Sequence, residues 1–386
     1  MPAAPRRIAL VRMDNLGDHV LGSGVIRALR SHWPSSELVA FVPRTVSGLY
    51  KRCKELAGTV PLPPASEYLR SEATFTALMQ TLQPHGVFDM VVNPRFAEDW
   101  YGAAMLCRAL ADRSAIARGS GRVLGFRQAL SPVRGFDPNS FYSELLVAPD
   151  TLHNARYAAI IAAAAIGQAV DAPPEVWFDP PDWERLVHAY ALASRRYIVV
   201  GLGASYAYKR PSLVVYRQVV KTLLSRSQRI VLIGTEEDRL AAQALSELAS
   251  HGDQVLSTCG RLQLFELAAL LSQARLYIGP DAGPKHLAAA CGTAVLEIAW
   301  VPSNYPARSR GPGTGGACWT AWQTLSRVVW PAAEAFATAA ARPGFQGAPI
   351  GGIDPSALDQ QLTELLALTA LDSRHATRPP AHAHRP

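Results

Sequence analysis

The sequence predicts a two-domain α/β protein in which each domain is a mainly parallel sheet with helices on its faces, and three observations carry that reading. At 386 residues the chain exceeds the length at which a single hydrophobic core usually keeps growing. Short β-branched and apolar runs alternate with stretches of helical periodicity, the signature of successive β-α-β crossovers. Two Pro-Pro pairs, Pro173-Pro174 and Pro180-Pro181, lie near the middle of the chain and mark a connection over 168–182. The expected domains are therefore 1–175 and 176–345, with a ligand between the carboxyl ends of the two sheets.

The elements follow in order. Residues 7–12 (RIALVR) form an apolar strand, MDNLGD turns the chain, and HVLGSGVIRALRSHW has helical periodicity up to Pro34. The run at 37–43 is the next strand, so a right-handed crossover opens the protein. A helix near 70–82, a strand at 86–94 and a helix at 99–111 continue the alternation. Between 112 and 152 Gly, Arg, Pro and Ser dominate, leaving a strand or two among long loops. After a helix at 153–167 and the proline-rich connection, the second domain repeats the pattern more sharply. It has helices at 182–194, 213–226, 237–249, 262–273 and 284–291 and strands at 196–203, 228–234, 274–280 and 293–300. A helix at 355–371 carries Leu358, Leu362, Leu365, Leu366 and Leu371 mainly on one face and is expected to dock, with the first domain as a candidate surface. Residues 373–386 have no apolar face and read as a disordered tail.

Composition narrows the function classes. No apolar run is long enough to cross a bilayer, and the four-residue run Ile8 to Val11 that follows Arg6 and Arg7 is too short for a signal peptide, so a cytoplasmic protein is expected. The five cysteines are odd in number and widely spaced, without a C-x-x-C pair, and read as reduced core thiols. The net charge of +7 is dispersed, with no basic stretch interleaved with aromatics, which argues against nucleic acid. Residues 1–60 nevertheless hold nine Arg/Lys against four Asp/Glu, an excess that suits a phosphorylated ligand or peripheral contact with the acidic inner membrane surface.

Three constellations can carry chemistry. In DAGPKHLAAACGT at 281–293 a strand delivers Asp281, Gly283 permits a tight turn, and Pro284 suits the first helical position. The turn presents backbone N–H groups beside a carboxylate, Lys285 and His286, so a phosphate can sit at the helix N-terminus while Asp281 accepts hydrogen bonds from hydroxyls. On the structural alternative Asp281 caps the helix and His286 only packs. In GLGASYAYKRP at 201–211 the glycines allow a ligand close to the backbone, Ser205 supplies a hydroxyl and Lys209 a mobile positive charge; a solvated surface lysine is the competing reading. Neither a Walker loop nor a complete G-x-G-x-x-G fingerprint is present. In RMDNLGDHVLGSG at 12–24 either Asp14 or Asp18 can face a ligand, while plain N-capping by Asp18 is the alternative.

These three segments resemble glycosyltransferase family 9, the ADP-heptose:lipopolysaccharide heptosyltransferase-like family. The most specific stretch is CGRLQLFELAALLSQARLYIGPDAGPKHLAAACGTAVL at 259–296, and the likeness extends to about residue 335. The resemblance implies a GT-B type fold of two facing Rossmann-like domains, the first for the acceptor and the second for a nucleotide-sugar donor. It implies an inverting transfer by direct displacement, with no cofactor and no metal, by a monomer. Asp18 matches the family's general base, with Asp14 and Asn15 beside it as an alternative base or acceptor contact. Lys209 matches the lysine that steadies the donor diphosphate, and Ser205 a nearby hydroxyl residue. Asp281, Gly283 and His286 match the turn that holds sugar and phosphate.

The sequence departs from the family in two places. Ala282 stands where a threonine is usual, and Lys285, often methionine, adds a charge near the diphosphate or on the helix surface. The loop WVPSNYPARSRGPGTG after 300 is also unfamiliar. The expected donor is an ADP-heptose-like nucleotide sugar, and the acceptor a lipopolysaccharide core or a small glycoside or secondary-metabolite scaffold. The competing classes are a non-catalytic or epimerase-like nucleotide-sugar-binding protein, an NAD-linked oxidoreductase and a structural protein. The oxidoreductase lacks its glycine fingerprint, and a structural protein leaves the polar turns at the strand ends unexplained.

Overall fold

The computed structural model describes residues 4–96, 102–128, 137–301, 316–340 and 352–372. The chain divides into two compact units, the first containing residues up to Trp177 together with Gly316–Cys318, the second running from Phe178 and resuming at Trp319. The sequence-based boundary lay at 175/176.

The first unit is a six-stranded sheet of β1 (Arg7–Val11), β2 (Glu37–Pro43), β3 (Gly58–Leu62), β4 (Met90–Val92), β5 (Arg122–Phe126) and β6 (Glu144–Leu146), in the order β3-β2-β1-β4-β5-β6. Every pairing is parallel. The second unit holds β7 (Tyr197–Gly201), β8 (Arg229–Ile233), β9 (Val255–Ser257), β10 (Leu276–Pro280), β11 (Ala294–Ile298) and β12 (Ser326–Val329), in the order β12-β11-β10-β7-β8-β9, again all parallel. Counted within each unit, the two orders are the same doubly wound arrangement, with the reversal between the first and fourth strands. The central strands β7, β10 and β11 are buried along their whole length, which is why they read as unbroken apolar runs.

Three strands were not expected. β3, β9 and β12 are edge or near-edge strands of three to five residues, carrying a proline or polar residues. They borrow a partner's ladder and need no periodicity of their own.

The stretch read as one helix from 19 to 33 is two, Leu16–Leu21 and Gly24–His32. The break is made by tertiary contacts. Ser23 Oγ donates to Glu175 O at 2.7 Å and accepts from the Glu175 N–H at 2.6 Å. A Cβ on Gly24 would lie 2.3 Å from the carbonyl oxygens of Ala172 and Pro173. The start of the proline-rich connection is thus packed into the first unit, where Trp177 also meets the Tyr50 ring at 5.7 Å.

The C-terminal helix Pro355–Asp372 docks on the second unit, which corrects the expectation that it reaches the first. Leu358, Leu362, Leu365 and Leu366 enter the same core as Val219, Leu223, Leu276 and Leu296. Polar contacts fix its register: Gln218 donates to Pro355 O at 2.7 Å, and Arg275 Nε to Thr369 Oγ1 at 3.1 Å. Covering the apolar face of β10 to β12 is a local way to bury those leucines. The expected tail at 373–386, the loop over 302–315 and the start of the expected helix at 99–101 lie outside the described residues.

All five cysteines are free, and among the described residues no helix is long and apolar enough to cross a membrane. Because Leu365 is fully buried, Leu365→Ala should cost about 2–5 kcal/mol in denaturant unfolding. A loss under about 1 kcal/mol would show that this helix contributes little to the core.

Candidate functional site

The second sheet brings three loops to one edge. β7 lies next to β10, and β10 next to β11, all parallel. Their carboxyl ends therefore deliver the residues after Gly201, Pro280 and Ile298 to a common place, beside the strand-order reversal where ligands bind in open α/β sheets.

Asp281 follows β10 and is the hub of this edge. Its Oδ2 accepts from Lys209 Nζ at 2.8 Å and from Trp300 Nε1 at 3.2 Å. Its Oδ1 accepts from Lys285 Nζ at 2.6 Å, and His286 Nε2 lies 3.9 Å from the same oxygen. Burial alone would push this carboxyl's pKa up, but Lys209 and Lys285 reverse the effect and hold it well below the usual carboxylate range. Lys209 sits in a short 3₁₀ turn, Ala207–Lys209, half-buried, with its ammonium 5.3 Å from the centre of the Trp300 ring. Tyr208 packs on Trp300 at 4.9 Å and stacks on Tyr206 at 5.3 Å. Lys209 and Asp281 are thus brought together, although 72 residues separate them.

The turn after Asp281 opens the helix Gly283–Ala290. Ala282 is the cap position and makes no side-chain cap bond, so the alternative in which Asp281 is the cap does not hold. Pro284 lacks an N–H, and the Lys285 N–H turns back to Ala282 O at 3.0 Å. The N–H groups at the mouth of the turn are those of Ala282 and Gly283. Ser205 is exposed on the loop after β7.

Lys285 is not on the helix surface, one of the two places expected for it. It is fully buried and not free to meet a ligand. Its ammonium donates to Asp281, to the Trp319 carbonyl and toward Glu297 Oε1 at 3.0 Å. An ammonium has three protons, and these three acceptors use them. Glu297 lies on β11 opposite Gly279 of β10 and is itself buried. Burial pushes its pKa up to about 7, with Lys285 pulling the other way. Sequence reasoning missed Glu297, Trp300 and Tyr208. The available signal was a lone acid inside the apolar strand TAVLEIAW.

The glycines of the 201–211 loop also have a different reason from the expected one. A Cβ on Gly203 or on Gly234 would lie 2.7 or 2.6 Å from Asp238 Oδ2. That carboxylate accepts from the Thr235 N–H at 2.8 Å and closes a capping box. Gly203 and Gly234 thus admit a protein carboxylate, whereas a Cβ on Gly201 would lie 2.4 Å from the Tyr277 hydroxyl.

In the first unit, Asp14 and Asp18 separate in role. Asp14 is buried, with Oδ1 accepting from Arg12 Nε at 2.9 Å and Oδ2 from Arg95 NH1 at 2.8 Å. Burial raises its pKa, but the two guanidinium groups overcome this and hold it at about 2. His19 Nε2 lies 3.5 Å from Asp14 Oδ1, and His19 Nδ1 shares a hydrogen bond with Tyr50 OH at 2.7 Å. Burial lowers the His19 pKa to about 3 despite Asp14. Asn15, exposed, is the cap position of the helix Leu16–Leu21, and Asp18 is that helix's third residue, half-buried. Plain N-capping by Asp18 is therefore ruled out as its position.

Residues 114–298 match the sequence model of glycosyltransferase family 9 (heptosyltransferase). The resemblance read from the motifs is borne out. The matched stretch contains Ser205, Lys209 and the whole turn 281–286, but not Asp14, Asn15 or Asp18. Lipopolysaccharide heptosyltransferase 3 of Escherichia coli is 29% identical over 126 residues, 31% of this chain and 36% of that protein. The chain thus spans about a third of the length of this curated relative. Two solved structures share the fold. The ADP-heptose lipopolysaccharide heptosyltransferase II of Escherichia coli covers 94% of this chain and 99% of its own, at 17% identity and a TM-score of 0.62. The family 9 glycosyl transferase of Veillonella parvula covers 94% and 98%, at 14% identity and a TM-score of 0.69. At these identities the likeness shows the fold alone, and with it the α/β architecture expected of the family.

Glu297 makes a pH prediction. Its pKa rises on folding from an ordinary 4.5 to about 7, so the native state binds the extra proton. The associated stability is present below pH 4.5 and is lost as pH climbs toward 7. Glu297→Gln should flatten the fall in unfolding free energy across that window. A variant whose pH profile parallels the parent would remove Glu297 from the balance.

Proposed function

We propose that this chain is a glycosyltransferase that moves a heptose from an ADP-heptose-like donor to an acceptor hydroxyl with inversion at the anomeric carbon. The observation that carries the reading is the meeting of Lys209 and Asp281 at the carboxyl ends of β7 and β10. There the N–H groups of Ala282 and Gly283 head an eight-residue helix. An alanine at the cap leaves first-turn donors without a side-chain acceptor, at a cost of about 1 kcal/mol. A donor diphosphate would supply the missing acceptor and gain from the helix dipole.

In the proposed reaction the acceptor oxygen attacks the anomeric carbon while the bond from that carbon to the diphosphate oxygen breaks. The electron pair goes to the diphosphate, where the Lys209 ammonium and the turn's N–H groups would meet the growing charge. Asp281 would accept hydrogen bonds from the donor's hydroxyls, with Ser205 and His286 as further donor contacts. The acceptor proton passes to Asp18. Asp14, the other carboxylate in this segment, has both oxygens in ion pairs and a pKa of about 2, which makes it a poor base and supports Asp18. The acceptor class proposed is a lipopolysaccharide core or a small glycoside, met at the cytoplasmic face of the inner membrane.

Incubation of the purified protein with ADP-, GDP-, UDP- and dTDP-sugars and candidate acceptors, with mass detection of product, tests the reading. Binding of NAD without any nucleoside diphosphate would sink it. Asp18→Asn should lower kcat by about 100-fold or more while donor affinity stays within a few-fold. Full turnover in this variant would reassign the base. Lys209→Ala should weaken nucleoside diphosphate binding by about ten-fold or more in calorimetric titration. Unchanged affinity would return Lys209 to an ordinary ion pair.

A further inference from the structure

We propose that Lys285 and Glu297 act together as positioning residues for the donor site, setting the carboxylate of Asp281, and through it Lys209, from inside the protein. This rests on the glycosyltransferase reading above, which says what the positioned groups serve.

The argument starts from which partner is rigid. Lys209 has a part-exposed stem on a loop, so its ammonium cannot fix the carboxylate it touches. Lys285 is fully buried and tied at three points: Asp281 Oδ1, Glu297 Oε1 and the Trp319 carbonyl. Those points lie on the turn after β10, on β11 itself and on the segment that enters β12. Glu297 in turn is held by the strand ladder, its register set between β10 and β12. Placement therefore runs outward, from β11 through Glu297 and Lys285 to Asp281 and then to Lys209. Only the last member reaches solvent appreciably.

The division of the carboxylate follows from this chain. With Oδ1 taken by Lys285, the other oxygen is left for Lys209 and Trp300. Without Lys285 the carboxylate can turn about its bond to Cβ and share both oxygens with Lys209, moving the ammonium off its present line. Glu297 gives the second ammonium a buried acceptor, and when ionised it also balances the charge of Lys285. Removing Lys285 alone strands Glu297, and removing Glu297 alone strands Lys285, so each single variant confuses folding with positioning. The double variant does not.

The test uses the full chain as the parent, Lys285→Met, and Lys285→Met combined with Glu297→Gln. Melting temperature, the labelling rate of Lys209 by an amine-acylating reagent read by peptide mass spectrometry, and affinity for ADP are measured on each. The double variant should recover most of the parent's melting temperature. Its Lys209 should label several-fold faster, and its affinity for ADP should fall by about ten-fold or more. A folded double variant with the parent's labelling rate and ADP affinity overturns the proposal and leaves the pair a structural ion bridge. Lys209 labelling needs no ligand. A parent that binds no nucleotide, while its labelling still responds to Lys285, defeats the proposed function and retains the positioning.

Discussion

A carboxylate buried between two ammonium groups organises the carboxyl edge of the second sheet. Asp281 is costly to bury alone, and Lys285, fully buried, is costlier still. Each is tolerable because the other is there, with Glu297, Trp300, Lys209 and the Trp319 carbonyl as further partners. Mutual dependence of this kind adds little net stability but fixes geometry, since any one partner displaced leaves a charge unpaired in a low-dielectric setting. The turn at 281–286 is held in place by this network more than by its helix cap, which is only an alanine.

The two units use their common strand order in parallel ways. In the first, Arg12 and Asp14 follow β1 and Arg95 follows β4. In the second, Lys209 follows β7 and Asp281 follows β10. In both, the two strands that flank the reversal of order contribute the members of a charged cluster, because helices leave the sheet toward opposite faces there and open a gap at the strand ends. The same topology yields a closed network around Asp14 in one unit and a partly open one around Lys209 in the other. That difference is set by side chains, since the two units share their strand order.

Much of this was legible in the residues. Strong apolar runs flanked by turn residues located seven of the twelve strands, since a centrally buried parallel strand must be apolar on both faces, while β5 and β6 were expected only as a strand or two within 112–152. β3, β9 and β12 were not legible, because a strand of three to five residues takes its conformation from its neighbour. The division of the helix after Gly22 was hidden for a related reason. Local periodicity continues through it, and the break is imposed by Glu175, some 152 residues away in the chain. The glycines of the 201–211 loop were seen as special but assigned to a ligand, because nothing local reveals that Asp238 lies against Gly203.

By itself the sequence determined the α/β class, the doubly wound pattern of the second unit, the family resemblance and the candidate residues, Lys209 and Asp281 among them. These follow from periodicity, turn chemistry and motif spacing, all properties of neighbouring residues. Tertiary structure alone decided that Lys209 and Asp281 touch, that Lys285 points inward to Glu297, that Asp14 is consumed by two arginines, and that the C-terminal helix covers the second sheet. Each of those outcomes pairs groups far apart in the chain. Which charge finds which partner is settled only when strand order brings the carboxyl ends together and burial makes an unpaired charge too costly to keep.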